Sequence, residues 1–198
     1  MAPAILLSAL LAAGDVALAQ DGRDGGGPNI SAVRLKPAEI RAETLDRLFA
    51  QLLKTDDEQE AERIQKRIWD LWMTDDSPTA NILIGQAMKA SSSAENETAL
   101  HILDSLIQVH PDFMEAWNKR ATVYYMLGDY EKSVADIMQV LDREPRHFGA
   151  LSGLGMIRQK QGNLAAAREA YREALSVNPH MEGIKRALQE IDAKERPI

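Results

Sequence analysis

Two consecutive stretches of the sequence decide the fold. Trp117 to Pro145 reads WNKRATVYYMLGDYEKSVADIMQVLDREP, and Leu151 to Pro179 reads LSGLGMIRQKQGNLAAAREAYREALSVNP. The two stretches align without a gap, and Pro111, Pro145 and Pro179 are each 34 residues apart. A repeat at a fixed period of this length is typical of solenoid proteins, in which each unit is one supersecondary element.

The aligned columns keep their small or apolar character from unit to unit. They are Leu83, Trp117 and Leu151; Ala87, Ala121 and Gly155; Ala94, Gly128 and Gly162; Ala99, Ser133 and Ala167; Leu103, Ile137 and Tyr171; and Leu106, Val140 and Ala174. Helical spacing within a unit predicts a first helix, glycine tolerates the positive φ of the turn after it, and proline ends a second helix. One such hairpin cannot cover its own apolar face, so hairpins are expected to stack.

These columns resemble the tetratricopeptide repeat (TPR), whose pattern has Trp, Leu-Gly, Tyr, Ala, Phe, Ala and Pro at fixed offsets. The resemblance covers three units, residues 80–113, 114–147 and 148–181. It implies an all-α fold, a right-handed superhelical solenoid of stacked antiparallel helix hairpins. It also implies a protein-binding function, since the first helix of each hairpin lines a concave surface.

Several positions depart from the family pattern. Gln86 and Arg120 stand where an apolar residue is usual, and in the first unit Ala94 and Asn96 replace the turn glycine and the aromatic residue after it. We therefore expect a distorted turn in that unit. We interpret Arg120 as half of a structural ion pair with Asp136 on the second helix. The alternative is an arginine that contacts an anionic partner.

The flanks extend the pattern to a TPR domain over residues 38–198 with about nine helices. Residues 42–73 carry two apolar stripes and are predicted to form a degenerate extra repeat, with a capping box at Thr55 and Glu58 opening its second helix. Residues 182–194 alternate an apolar stripe with charged residues, which is typical of a terminal capping helix.

The overall composition argues against several classes of function. The formal net charge is −7, whereas nucleic acids and anionic membranes attract basic proteins. The chain has no cysteine, which excludes disulfides, thiolate metal sites and cysteine nucleophiles. Without disulfides the fold must depend on apolar packing. Because the net charge is negative, a nucleic-acid partner is not expected.

Residues 1–19 are predicted to be a signal peptide. An apolar run at residues 4–13, AILLSALLAA, precedes the small-x-small sequence Ala17-Leu18-Ala19. The run is shorter than the ~20 residues that span a bilayer, so no stable membrane insertion is expected. No basic residue precedes the run, and cytoplasmic location is the alternative to a periplasmic or secreted protein. Residues 20–37 are predicted to be a flexible Gly-rich linker.

No residue pattern indicates catalysis, a cofactor or a metal site. The chain lacks a Walker motif, and its acidic pairs lie at predicted helix starts, where they complement the helix dipole. The four histidines, His101, His110, His147 and His180, are interpreted as solvated side chains, the last three near turns. Gly149 and Gly153 are attributed to tight helix packing, with a ligand lying over them as the alternative.

The first helices of the units place a mixed apolar and polar set on the predicted concave groove. Besides Ile84, the partner-binding candidates are Met88, Asn118, Thr122, Tyr125, Met126, Ser152, Met156 and Gln159. Methionine and tyrosine adapt to extended or helical peptides, so the predicted partner is a protein or peptide.

A second function is a self-associating structural module whose terminal helices stack with another copy of the chain. Trp69 and Trp72 would favour it if both were exposed on the second predicted helix. The sequence therefore predicts a non-enzymatic interaction module, with homo-oligomerisation as the alternative.

Overall fold

The structure, a computed structural model, describes residues 37–194, which in that range form nine α-helices and no strand. The helices are α1 (Pro37–Leu52), α2 (Glu58–Trp72), α3 (Pro78–Ser92), α4 (Asn96–Val109), α5 (Met114–Leu127), α6 (Tyr130–Arg143), α7 (Phe148–Lys160), α8 (Leu164–Val177) and α9 (Glu182–Lys194). The predicted signal peptide and all but the last residue of the predicted linker lie outside the described residues. None of the described helices is long and apolar enough to cross a membrane.

Helices α3 to α8 form three antiparallel hairpins, and each hairpin packs on the next. The turn inside each hairpin has one residue with positive φ: Ala94 at 60°, Gly128 at 79° and Gly162 at 77°. The turn of the first unit therefore has the same left-handed backbone as the others, and the expected distortion is absent. Alanine adopts a conformation there that costs it about 1–2 kcal/mol and costs glycine little.

Small residues allow the two helices of a hairpin to approach closely. A Cβ added to Gly155 would lie 2.4 Å from the ring of Tyr171, so only glycine fits against that ring. In the preceding unit the hydroxyl of Ser133 donates to the backbone carbonyl of Ala121 at 2.7 Å. The aligned small residues are thus explained by contact between inner helices α5 and α7 and outer helices α6 and α8.

Helix α9 closes the C-terminal end of the array. Its Ile191 is fully buried in a cluster with Ala167 and Tyr171 of α8, and Arg168 donates to Asp192 at 2.8 Å. The apolar stripe of this helix faces the array, as expected for a capping helix.

Helices α1 and α2 do not stack on α3 as an extra repeat, contrary to the prediction for residues 42–73. They lie across the connections α6–α7 and α8–α9, where their apolar stripes bury Phe148. Polar contacts follow the same path: Arg146 donates to Asp46, Asn178 donates to Gln65, and the His180 ring contacts the Leu52 carbonyl at 3.0 Å. We call α1 and α2 the N-terminal hairpin.

The start of α2 also differs from the prediction. Its N-cap is Asp57, whose carboxylate accepts from the Glu60 amide at 3.0 Å, while Thr55 accepts from the Asp57 amide. The predicted Thr55–Glu58 capping box is therefore wrong, because the observed N-cap lies two residues later in the chain than that pairing requires.

Candidate functional site

The inner helices α3, α5 and α7 line a continuous channel on one face of the array. Its central part, which we call the α5–α7 groove, has a volume of about 330 Å³ and runs between those two helices. Six of the eight predicted binding residues line it: Asn118, Thr122, Tyr125, Met126, Ser152 and Met156. The structure thus brings most of the predicted residues to one concavity.

Two further cavities continue the groove on either side. Met88 lines a cavity of about 270 Å³ that shares Thr122 and Met126 with the groove. Gln159 lines another of about 400 Å³ that shares Tyr125 and Met156 with it. All eight predicted residues therefore lie along one channel.

The floor of the α5–α7 groove is apolar and its walls carry exposed methionines. Ile137 and Ile157 are buried beneath it, and Met126 and Met156 are 50% and 42% exposed. Gly153 leaves the space above Ile137 open, since an added Cβ would meet the Ile137 Cδ1 only at 3.6 Å, an ordinary contact distance. Gly153 therefore shapes an open groove and does not serve close helix packing.

Several predicted groove residues already have intramolecular partners. Asn118 is buried and donates to Glu115 at 2.9 Å, and the Thr122 hydroxyl donates to the Asn118 carbonyl. The Ser152 hydroxyl donates to the Gly149 carbonyl, and Gln159 accepts from the Tyr171 hydroxyl at 2.8 Å. Ile84 is 2% exposed and belongs to the core. The side chains left exposed for a ligand are mainly the methionines.

A buried polar pair, Glu115 and His147, lies behind one end of the groove. Both side chains are fully buried, with Nε2 of His147 2.7 Å from Oε1 of Glu115. The Ala150 amide donates to Nδ1 of His147 at 3.0 Å, so in the neutral ring Nε2 carries the proton and donates to the carboxylate. His147 is therefore not a solvated turn residue, as the sequence had suggested.

The pKa of Glu115 lies below its ordinary value. Burial alone would raise it, but the hydrogen bond and electrostatic attraction of His147, the charge of Lys119 and the hydrogen bond from Asn118 together favour the carboxylate. Glu115 is thus a satisfied structural anion.

The N-terminal hairpin covers this pair with aromatic rings. Trp72 is 3% exposed and stacks on His147 with ring centroids 4.1 Å apart, while Trp69 meets the same ring edge-on at 5.3 Å. Lys119 lies over Trp69 at 5.2 Å from its centroid. A Cβ on Gly149 would lie 2.7 Å from Trp69, which supports the packing interpretation of Gly149. The two tryptophans therefore do not form an exposed patch for self-association.

Arg120 joins three helices on the side away from the groove. Its guanidinium donates twice to Asp136 of α6, at 2.8 and 2.7 Å, and once to Asp104 of α4 at 2.8 Å. The hydrogen bonds with Asp136 and then Asp104 raise the pKa of Arg120 despite partial burial. The structure thus brings Arg120 and Asp136 together and adds Asp104, which the sequence had not indicated.

Among the described residues there is no group of three or more His, Asp or Glu side chains that could hold a metal ion. His101 is exposed, and His110 lies 3.7 Å from Asp75. The α5–α7 groove and the cavity lined by Met88 are mainly apolar, whereas the cavity lined by Gln159 is more polar.

Comparison with known proteins identifies the repeats. The tetratricopeptide repeat model matches residues 85–141 and 127–181. A TPR repeat-containing protein of Rhizobium etli is 42% identical over 135 residues, which are 68% of this chain and 66% of that protein. The chain therefore spans about two thirds of the length of this relative.

Two solved structures show the same fold. The first TPR domain of Spaghetti, bound to the HSP90 peptide SRMEEVD, has a TM-score of 0.57 at 19% identity over 60% of this chain and 94% of that one. The Yersinia enterocolitica type III secretion chaperone SycD, in complex with a peptide of the translocator YopD, has a TM-score of 0.57 at 14% identity over 61% and 97%. At these identities the likeness concerns the fold alone. With the aligned columns, the helix hairpins and the family match in agreement, the chain belongs to the tetratricopeptide repeat family of protein-interaction modules.

Proposed function

We propose that this protein is a non-enzymatic adaptor that binds a peptide segment of another protein in the α5–α7 groove and its two flanking cavities. The observation that carries the proposal is the open apolar floor above Ile137, left uncovered by Gly153 and bordered by exposed Met126 and Met156. Flexible thioether side chains adapt to different apolar partners, so the groove suits a peptide better than a small rigid ligand.

Two peptide complexes among the solved neighbours support this proposal. The Spaghetti domain binds an HSP90 peptide, and SycD binds a YopD peptide. Because both domains have low sequence identity to this chain, neither their partners nor their contact residues are transferred to it. The support is limited to the kind of ligand, a polypeptide segment.

The predicted signal peptide supports a periplasmic or secreted location for the adaptor. We expect the mature chain to begin at Gln20, after cleavage behind Ala19. Cell fractionation with mass spectrometry of the N-terminus tests this directly. An N-terminus that includes residues 1–19, found in the cytoplasmic fraction, would contradict export and leave the groove proposal unaffected.

The binding proposal is tested by filling the groove without disturbing the fold. In Gly153→Leu the Cβ fits against Ile137 and the rest of the side chain occupies the groove. Gly85→Leu is the matched control, because Gly85 holds the same repeat position on α3, and a Cβ there meets nothing within 4 Å. Circular dichroism is used to check that both variants keep the wild-type helix content.

The full chain is immobilised and exposed to a lysate of the compartment in which it is found. We expect the wild type and Gly85→Leu to retain the same partner, and Gly153→Leu and a Met88→Asp/Tyr125→Ala double variant to lose it. A partner that Gly153→Leu retains as well as the wild type would place binding outside the groove.

A further inference from the structure

The carboxylates of the repeat array are segregated onto one layer of helices. Helices α3 to α8 carry eight Asp and Glu residues, and seven of them lie on the outer helices: Glu97, Asp104, Glu131, Asp136, Asp142, Glu169 and Glu173. The remaining one, Glu115 on α5, is fully buried and bonded to His147 and Asn118. The channel face of the inner helices therefore exposes no carboxylate in the described array.

The charged residues that line the channel are cationic. No Asp or Glu lines the α5–α7 groove or either flanking cavity. Lys119 lines the flanking cavity that contains Met88, and Lys160 lines the one that contains Gln159. Lys119 is largely committed, because it lies 3.4 Å from the buried Glu115 carboxylate and over the Trp69 ring. Lys160 is exposed and forms no ion pair with any described residue. It lies beside Met156 in a cavity that opens onto the groove.

We propose that the occupant of the groove is an acidic peptide segment, in which one aliphatic side chain enters the space above Gly153 and a carboxylate lies beside Lys160. This inference rests on the proposed function and specifies the partner's chemistry. The apolar floor accepts the aliphatic group, and Lys160 supplies a charge that is not paired with any described residue. A basic segment would meet these lysines, whereas no Asp or Glu lines the groove or either flanking cavity to pair with it.

The formal charge of −7 does not oppose this arrangement at short range. Charges more than about 8 Å apart in water are largely screened at physiological salt, so the lysines nearest the ligand decide the sign of the interaction. The outer-layer carboxylates act only at low salt, where they slow the approach of an acidic peptide. Rejection of basic segments by the groove then gives selectivity beyond apolar contact.

The first test selects ligands without assuming any natural partner. A phage-displayed library of random peptides of about twelve residues, which extend to about 40 Å, is selected on the full chain and then on Gly153→Leu. We expect peptides lost on Gly153→Leu to combine an aliphatic residue with two or more Asp or Glu and to be depleted of Lys and Arg. Replacing their acidic residues by amides should weaken binding about tenfold at low salt and less at high salt.

The second test reverses one charge on each layer. Lys160→Glu removes the exposed cation of the channel, and Arg172→Glu makes the same change on the exposed face of outer helix α8. Titration of a selected, labelled peptide should show binding about five- to tenfold weaker for Lys160→Glu and unchanged for Arg172→Glu. Equal effects of the two substitutions would mean that only the net charge of the chain matters, and would overturn the proposal.

The outcomes separate this inference from the proposed function. Peptides that Gly153→Leu abolishes but that are neutral or basic would refute the acidic partner and leave the groove as the binding site. Selected peptides that bind Gly153→Leu as well as wild type would refute both. Reversible self-association by light scattering that Gly153→Leu abolishes would identify a second copy as the occupant, and would also overturn the peptide proposal.

Discussion

The repeat array, α3 to α8, and the N-terminal hairpin, α1 and α2, are both built from amphipathic helices, but they are attached in different ways. In the array each helix packs mainly on the next helix in the chain. The hairpin is attached by contacts between residues 100 to 128 positions apart: Asp46 with Arg146, Gln65 with Asn178, and Leu52 with His180. Periodicity encodes the first arrangement, whereas the second depends on complementary groups that are distant in sequence.

The two regions meet at His147. Its Nδ1 caps α7, its Nε2 bonds Glu115 of α5, and its ring face supports Trp72 of the hairpin. The hairpin therefore packs against the N-terminal ends of α5 and α7. These helix ends also form one end of the α5–α7 groove, where Asn118 and Gly149 lie. Four predictions sharpen the comparison between the regions, three of them at this junction and one at the turn of the first unit.

Removal of the buried carboxylate should have the largest effect. Glu115→Ala leaves His147, Asn118 and Lys119 without their common acceptor, and loss of one member of a buried pair costs about 3–5 kcal/mol. Urea denaturation followed by circular dichroism measures the loss in the free energy of unfolding. Glu97→Ala on the exposed face of α4 is the control, with an expected change within about 0.5 kcal/mol. Equal stabilities of the two variants would contradict the assigned role of Glu115.

The same carboxylate predicts a pH dependence. Because the folded-state pKa of Glu115 is lowered, its contribution is fully present above the unfolded-state pKa of about 4.3 and is lost as the pH falls through the folded-state value. Wild type should therefore lose more stability than Glu115→Gln between pH 7 and the acid range, about pH 3. Parallel stability profiles of the two proteins would show that another group controls the acid transition.

A methyl group on Gly149 should loosen the hairpin and spare the array. The added Cβ would lie 2.7 Å from Trp69, an overpacking that costs about 1–3 kcal/mol. We expect Gly149→Ala to increase proteolysis at the α1–α2 connection and shift tryptophan fluorescence to the red, with helix content nearly unchanged. Gly153→Ala, whose Cβ makes only an ordinary contact at 3.6 Å, should keep the wild-type protease resistance. A hairpin equally protected in both variants would contradict this docking.

The smallest effect concerns the turn of the first unit. Ala94 has φ of 60°, where its aligned residues are glycines, so Ala94→Gly should stabilise the protein by about 1 kcal/mol. Thermal unfolding measures the change, and Ala90→Gly, inside α3, should destabilise by more than that because it also removes a buried methyl group. A loss of stability in Ala94→Gly would show that relief of backbone strain is outweighed at this turn.

The array was predictable because each unit repeats the same pattern of small and apolar residues. Trp117, Ala121 and Ser133 recur as similar residues 34 positions away, and the fold, the inner-helix face and the Arg120–Asp136 proximity follow from that alignment. The turn at Ala94 differs from the prediction because the absence of glycine from a sequence position does not exclude a left-handed backbone there. Its left-handed φ shows that the hairpin packing imposes the turn at a modest local cost.

The hairpin and the buried pair were harder to predict. The apolar stripes of α1 and α2 show that these helices are amphipathic but do not indicate which surface they cover. The prediction of an extra repeat assumed that the hairpins continue to stack. One signal for His147 was present: its aligned positions are Phe113, which is buried, and Met181, which packs on the hairpin core. The segregation of carboxylates onto the outer helices was also readable, once the helices had been assigned to layers.

Hydrogen–deuterium exchange of the full chain, alone and saturated with a captured partner or selected peptide, tests the central claim most directly. Binding in the α5–α7 groove predicts slower amide exchange in residues 118–126 and 149–157, with α9 unchanged. Slower exchange confined to the N-terminal hairpin, or an unchanged groove at saturating ligand, would contradict the account.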